Sequence, residues 1–158
     1  MAAVSALKAA LEDDDREVRL EAYSSLLKIA PGGVDQIEGI METLRSGDAG
    51  QRSEAALILM KMGSKAVRAL PALMEALGDQ EISVQVNVVG ALSAMGKAAK
   101  PASMALVHTL STDDADLRDS VRMALFNIWR GSPDRVPGLL ELLNNPRRRW
   151  MYGSRRSP

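Results

Sequence analysis

"DREVRLEAYSSLLKIAPGG", residues 15–33, carries a pattern that returns down the chain. Its Leu26 recurs as Leu59, Leu92 and Leu125, and its Ile29 as Met62, Met95 and Ile128, each step being 33 residues. Upstream of it, Leu7, Ile40, Leu73, Leu106 and Leu139 keep the same step, as do Leu11, Leu44, Leu77, Leu110 and Leu143. Four apolar series in one register define a repeat, and a period of roughly 20–50 residues marks a stacked architecture.

Within one unit, Val4, Leu7 and Leu11 lie on one helical stripe, while Val18, Ala22, Leu26 and Ile29 lie on a second. Each unit is therefore read as a helical hairpin. Asp13, Ser46, Asp79 and Thr112 share the slot between the two helices. Their side chains are expected to accept hydrogen bonds from the free N–H groups opening each second helix. Gly32-Gly33, Gly63, Gly96 and Gly131-Ser132-Pro133 are expected to close the second helices. A lone hairpin cannot bury its stripe, but stacked neighbours can. The predicted fold is all-α, a right-handed α-solenoid of about four and a half units. Their expected bounds are 1–33, 34–66, 67–99, 100–132 and a half-unit 133–145, before a basic tail at 146–158. Lys8 stands where later units have Met41, Met74, Val107 and Leu140, as expected of a first unit with nothing stacked before it.

Composition agrees. The chain has 158 residues, 46% hydrophobic and 25% charged, which suits one soluble folded domain. Aromatic residues make up only 3%, too few for a large β-sandwich or barrel. With no Cys, disulfides, thiolate catalysis and thiolate metal sites are excluded. The opening "MAAVSALKAALEDDD" has no basic leader before its apolar residues, and no apolar run is long enough to span a bilayer. A cytoplasmic location is the default. The 20 bases and 20 acids are unevenly placed, because Arg147, Arg148, Arg149, Arg155 and Arg156 all follow Pro146. Residues 1–146 thus carry −5 and the tail +5. An acidic body argues against a nucleic-acid surface, which requires clustered Lys and Arg.

"EDDDREVRLEAYSSLLKIAPGG", residues 12–33, resembles a HEAT repeat, in particular the short bacterial type named after the phycobilisome-lyase proteins. That type has Asp, then Val-Arg, Ala, Leu and a closing Gly; Val18-Arg19 matches and Leu117-Arg118 is close. Pro71 and Pro137 sit where HEAT first helices often carry a kinking Pro. The resemblance implies hydrogen bonds between Asp and Arg running from unit to unit. Departures at Gln51-Arg52 and Val84-Gln85 leave that ladder expected to be incomplete. The resemblance covers residues 1 to about 145 and is specific for fold, since the family includes scaffolds, transport adaptors and a few enzymes such as bilin lyases and DNA glycosylases. The Thr-Pro-Leu-His opening of ankyrin repeats is absent, as are the fixed Trp and Tyr of tetratricopeptide repeats.

Little in the sequence reads as chemistry. His108 is the only histidine, in a slot otherwise held by Ala9, Glu42, Glu75 and Glu141 on the outer side of the first helix. Without a second His or any Cys, no zinc or iron site is expected, nor any other cofactor. "EDDD" and "TDDAD" lack the alternating Asp and central Gly of a calcium loop. Neither a phosphate-binding loop nor a Gly-x-Ser-x-Gly elbow is present.

The second helix is unusual on its outward side. At 100° per residue, the slots of Leu20, Ser24 and Leu27 oppose the core stripe and ought to be polar. They read Ser53, Leu57 and Met60 in the second unit, Val86, Gly90 and Ser93 in the third, and Asp119, Met123 and Phe126 in the fourth. In HEAT-like stacks the second helices line the concave face, so the resemblance places this apolar strip in a groove. An apolar groove suits an amphipathic helix or extended peptide, and Met adapts to varied partners. The competing reading is that curvature buries these residues between adjacent hairpins. The sequence thus points to a non-enzymatic protein- or peptide-binding scaffold acting through Leu20, Leu27, Leu57, Met60, Val86, Met123 and Phe126. The alternatives are a lyase-like enzyme or enzyme subunit, and weak nucleic-acid binding through the tail, where Arg147, Arg148 and Arg149 precede Trp150 and Tyr152. Three other readings of the tail fit: capping the last unit, entering the groove of a second copy, or remaining disordered.

Overall fold

The 33-residue step becomes a stack of antiparallel helix pairs. The computed structural model describes residues 2–29 and 34–132, so the half-unit 133–145 and the tail 146–158 lie outside the described residues. In the first pair, α1 (Ala2–Ala9) runs into a 3-10 turn (Ala10–Glu12) and returns as α2 (Arg16–Ile29). Next, α3 (Val34–Ser46) pairs with α4 (Ala49–Met62). The third pair is α5 (Leu70–Ala76) with α6 (Ile82–Met95), and the fourth is α7 (Ser103–Thr109) with α8 (Ala115–Trp129). In these last two pairs a 3-10 segment, Gly63–Ala69 or Gly96–Ala102, leads into the short first helix. The second helices pack side by side in the order α2, α4, α6, α8 as one layer; the first helices and their 3-10 leads form the other. The chain is an all-α solenoid.

The repeated apolar slots are the core. Leu26, Leu59 and Leu92 are fully buried, as are Leu73 and Leu106. The first unit departs from this: Val18 is 40% and Ile29 55% exposed, whereas Val84, Leu117, Met95 and Ile128 in the same slots are buried; in the second unit the Val18 slot holds the exposed Gln51. Lys8 is exposed, and Met41 and Val107 in its slot are buried.

Two local expectations need correction. The caps of the second helices are not at Asp13, Ser46, Asp79 and Thr112 but two residues later. Asp48 caps α4 in a capping box, its side chain accepting from Gln51 N–H while the Gln51 side chain accepts from Asp48 N–H. Asp114 caps α8 by accepting from Leu117 N–H. Glu81 occupies the cap of α6 without a side-chain bond. Asp13, Asp79 and Thr112 instead form the turn before the cap, each accepting from the N–H two residues on. Pro71 does not kink a continuous helix. It lies in the first turn of α5, where a missing N–H is harmless. The expected stop signals at Gly63 and Gly96 are present, each with φ of 56°; Gly32-Gly33 lie outside the described residues.

Candidate functional site

The apolar strip divides into a packed part and an open part. Ser53 on α4 is buried and accepts a hydrogen bond from the Asn87 amide on α6 at 2.7 Å. Asn127 on α8 donates to Ser93 on α6 at 2.9 Å. Met60 reaches over Gly90: a Cβ added there would lie 3.0 Å from the Met60 sulfur. Leu57, Met60 and Val86 are half-buried, and Met60 and Val86 pack against the core. Met123 and Phe126 on α8 are open, at 61% and 43% exposure. The side chains of Leu20 and Leu27 lie outside the described residues, as do Arg147, Arg148, Arg149, Trp150 and Tyr152. The floor between the two ends is α6, ISVQVNVVGALSAM, which contains no charged residue. The Asn–Ser bonds were legible as pairs one period plus one residue apart, a spacing the apolar register does not draw attention to.

A polar ladder runs along the edge formed by the turns between first and second helices. In each of the four described units one side chain of the second helix turns back onto carbonyls of the turn that joins it to its own first helix. Arg19 donates to Asp13 and Asp14 C=O, Arg52 to Gly47 C=O, Gln85 to Asp79 C=O and Arg118 to Thr112 C=O. Turn carbonyls have no ladder partner of their own, and these side chains satisfy them. Where the next unit offers a carboxylate, the residue is Arg and also reaches across. Arg19 pairs with the buried Glu54, Nε to Oε1 at 2.9 Å, and Arg52 grips Asp79 through two bonds of 2.6 and 2.9 Å. Where the next unit has Thr112, the residue is Gln85. The ladder is therefore interrupted at the third unit, while Arg52, despite the Gln before it, keeps its place.

These bonds set the protonation of their partners. The Arg52 guanidinium holds the Asp79 carboxyl below its ordinary 3.8, helped by the Glu81 N–H and opposed by desolvation. Hydrogen bonds to Asp79 and Glu54 raise Arg52 and Arg19 further above the usual guanidinium value. Because Asp79 is depressed in the folded state, its contribution is complete above its unfolded value and is lost as pH falls through the lower folded value. Asp79→Asn should therefore melt below the wild type at neutral pH, and the gap in melting temperature should close on acidification below 3.8. Melts at pH 7, 4 and 3 check this; a gap that is constant with pH would show that the charge is not what Asn removes.

Between the first two units the ladder edge opens into a cavity of about 550 Å³, lined by Tyr23, Ile40 and Ile58 together with Asp14, Asp48 and Glu54. Arg19 enters this space and engages Glu54, so the cavity's most buried carboxylate is already paired. No cluster of His, Asp or Glu that could hold a metal occurs among the described residues. His108 is exposed near the end of α7. No helix among the described residues is long and apolar enough to cross a membrane.

Stacked hairpins, a continuous core and a second-helix layer with its own apolar surface define an α-solenoid repeat protein. The family model for HEAT repeats matches residues 37–126, more than half of the chain, and the chain belongs to that family. No curated protein matches it. Among solved structures, the crystal structure of an engineered protein is similar, with a TM-score of 0.62 at 24% identity, covering 90% of this chain and 68% of that one. That likeness is one of fold.

Proposed function

We propose that this protein is a non-enzymatic scaffold that binds a protein segment or peptide on the face formed by its second helices. The single observation behind this reading is the pairing of an uncharged α6 with the exposed Met123 and Phe126 on α8. Large apolar side chains exposed together mark an interaction surface more often than an accident, and an amphipathic helix can lay its apolar face along such a strip. Leu57, Met60 and Val86, half-buried, supply the shaped floor; in the sequence pattern Leu20 and Leu27 hold the same slots of the first unit. Each apolar anchor buried by the partner contributes roughly 1.5–3 kcal/mol, so three or four support micromolar binding after association costs. Within the HEAT family, the Asp, Val-Arg, Ala, Leu and Gly pattern of residues 13–33 favours the short bacterial type named after the phycobilisome-lyase proteins.

Peptides selected against the wild-type chain from a random displayed library provide the test. They should lose at least tenfold in affinity for a Met123→Asp, Phe126→Asp double variant whose circular dichroism and melting are unchanged. Peptides that bind the double variant as well as the wild type would sink the reading. Met60 is a poor site for this test, because Asp there would be introduced into packing between α4 and α6.

A further inference from the structure

Stacking brings acids without an ion-pair partner onto one edge and such lysines onto the opposite one, while Arg19, Arg52 and Arg118 on the acidic edge are engaged in the ladder. The turns leading into the second helices contribute Asp13, Asp14, Asp15, Glu81 and Asp113 to one edge, and the first turn of α8 adds Asp116. The ladder, which ties the turn at residues 13–14 to α4 and Gly47 to Asp79, stacks these turns over one another. The other edge holds the ends of the second helices and the 3-10 leads, which touch one another from unit to unit. Residues 61–69 there carry Lys61, Lys65 and Arg68 with no acid, and residues 96–102 carry Lys97 and Lys100 with no acid. Arg68 meets Glu38 at 3.4 Å, and Lys100 lies over the Trp129 ring, 4.6 Å from its centroid. Lys61, Lys65 and Lys97 are exposed and have no ion-pair partner among the described residues; the same holds for Asp14, Asp113 and Asp116. A second helix of 14 residues separates the rows by about 21 Å, too far for them to neutralise each other through salt water.

From this geometry we infer a self-association surface: the basic edge of one copy docks against the acidic edge of a second copy. Both rows advance by one step per unit of the same stack, so their pitches match by construction. A copy displaced sideways by one helix length brings Lys61, Lys65 and Lys97 opposite the acidic turns. The two edges differ, so the contact is heterologous and leaves one edge of each kind free for further copies. Charge pairing at an exposed edge is weak per pair and strongly screened, so the association belongs to low ionic strength. The surface is separate from the second-helix face and does not depend on it.

Sedimentation equilibrium of the full chain, at about 20 mM and about 300 mM salt, tests this. The wild type should exceed twice its monomer mass of 17.0 kDa at low salt and return to it at high salt. A basic-edge variant, Lys61→Glu with Lys65→Glu and Lys97→Glu, should stay monomeric at low salt. An acidic-edge variant, Asp14→Lys with Asp113→Lys and Asp116→Lys, should do the same. Mixed in equal amounts they should associate again at low salt, because the edge each retains is complementary to the edge the other retains, and the two reversed edges are complementary as well. A monomeric wild type at low salt overturns the proposal. So does a basic-edge variant that still associates, which would make the arginines at 147–156 the partner, and so does a wild type that responds only to an added sulfated polysaccharide.

Discussion

Replacing Leu92 by Ala should destabilise the protein by about 2–5 kcal/mol. Leu92 is fully buried in α6, in the slot shared by Leu26 and Leu59. Truncation removes its transfer free energy and leaves a cavity that the stack cannot close, because α6 is held on one side by α4 and on the other by α8. In a chain of this length the loss corresponds to a fall in melting temperature of roughly 5–15 °C. Since each repeat is stabilised chiefly by its neighbours, the unfolding transition should also broaden as the stack divides at its third unit. Thermal and urea melts followed by circular dichroism check both effects; a cost below about 1 kcal/mol would mean that this slot does not face the core.

Gly96→Ala is expected to cost about 1–3 kcal/mol although nothing lies within 4 Å of the added methyl group. Gly96 closes α6 with φ of 56° and ψ of −131°, a conformation open essentially to glycine alone. The penalty is thus intrinsic backbone strain, free of steric overlap, and Gly63 with φ 56° and ψ −133° should behave alike. Gly39 provides the opposite case. It lies within α3 with open space around its Cα, so Gly39→Ala should stabilise by roughly 0.5–1 kcal/mol. Melts of the two variants side by side should move in opposite directions; a neutral Gly96→Ala would show that the helix end can relax to a negative φ.

The 33-residue register was enough to determine the hairpins, the buried Leu series and the glycine stops, because helix periodicity and the need to bury a stripe are local properties of a repeat. It placed the caps two residues early, since Asp13, Asp79 and Thr112 accept hydrogen bonds as turn residues just as readily as they would as caps, and only the backbone distinguishes the two. Tertiary structure decided which strip residues are open. Leu57, Met60 and Met123 look alike in sequence, yet Met60 closes over Gly90 while Met123 stands free on α8, because burial between neighbouring second helices depends on what the adjacent unit places opposite. It also decided the electrostatics. A nearly even scatter of charge along an acidic body conceals a basic edge, since Lys61 and Lys97, 36 residues apart, share that edge only once the hairpins stack. Charge interactions follow distance in space, and in a solenoid that distance is set by the stack, one period away in the chain.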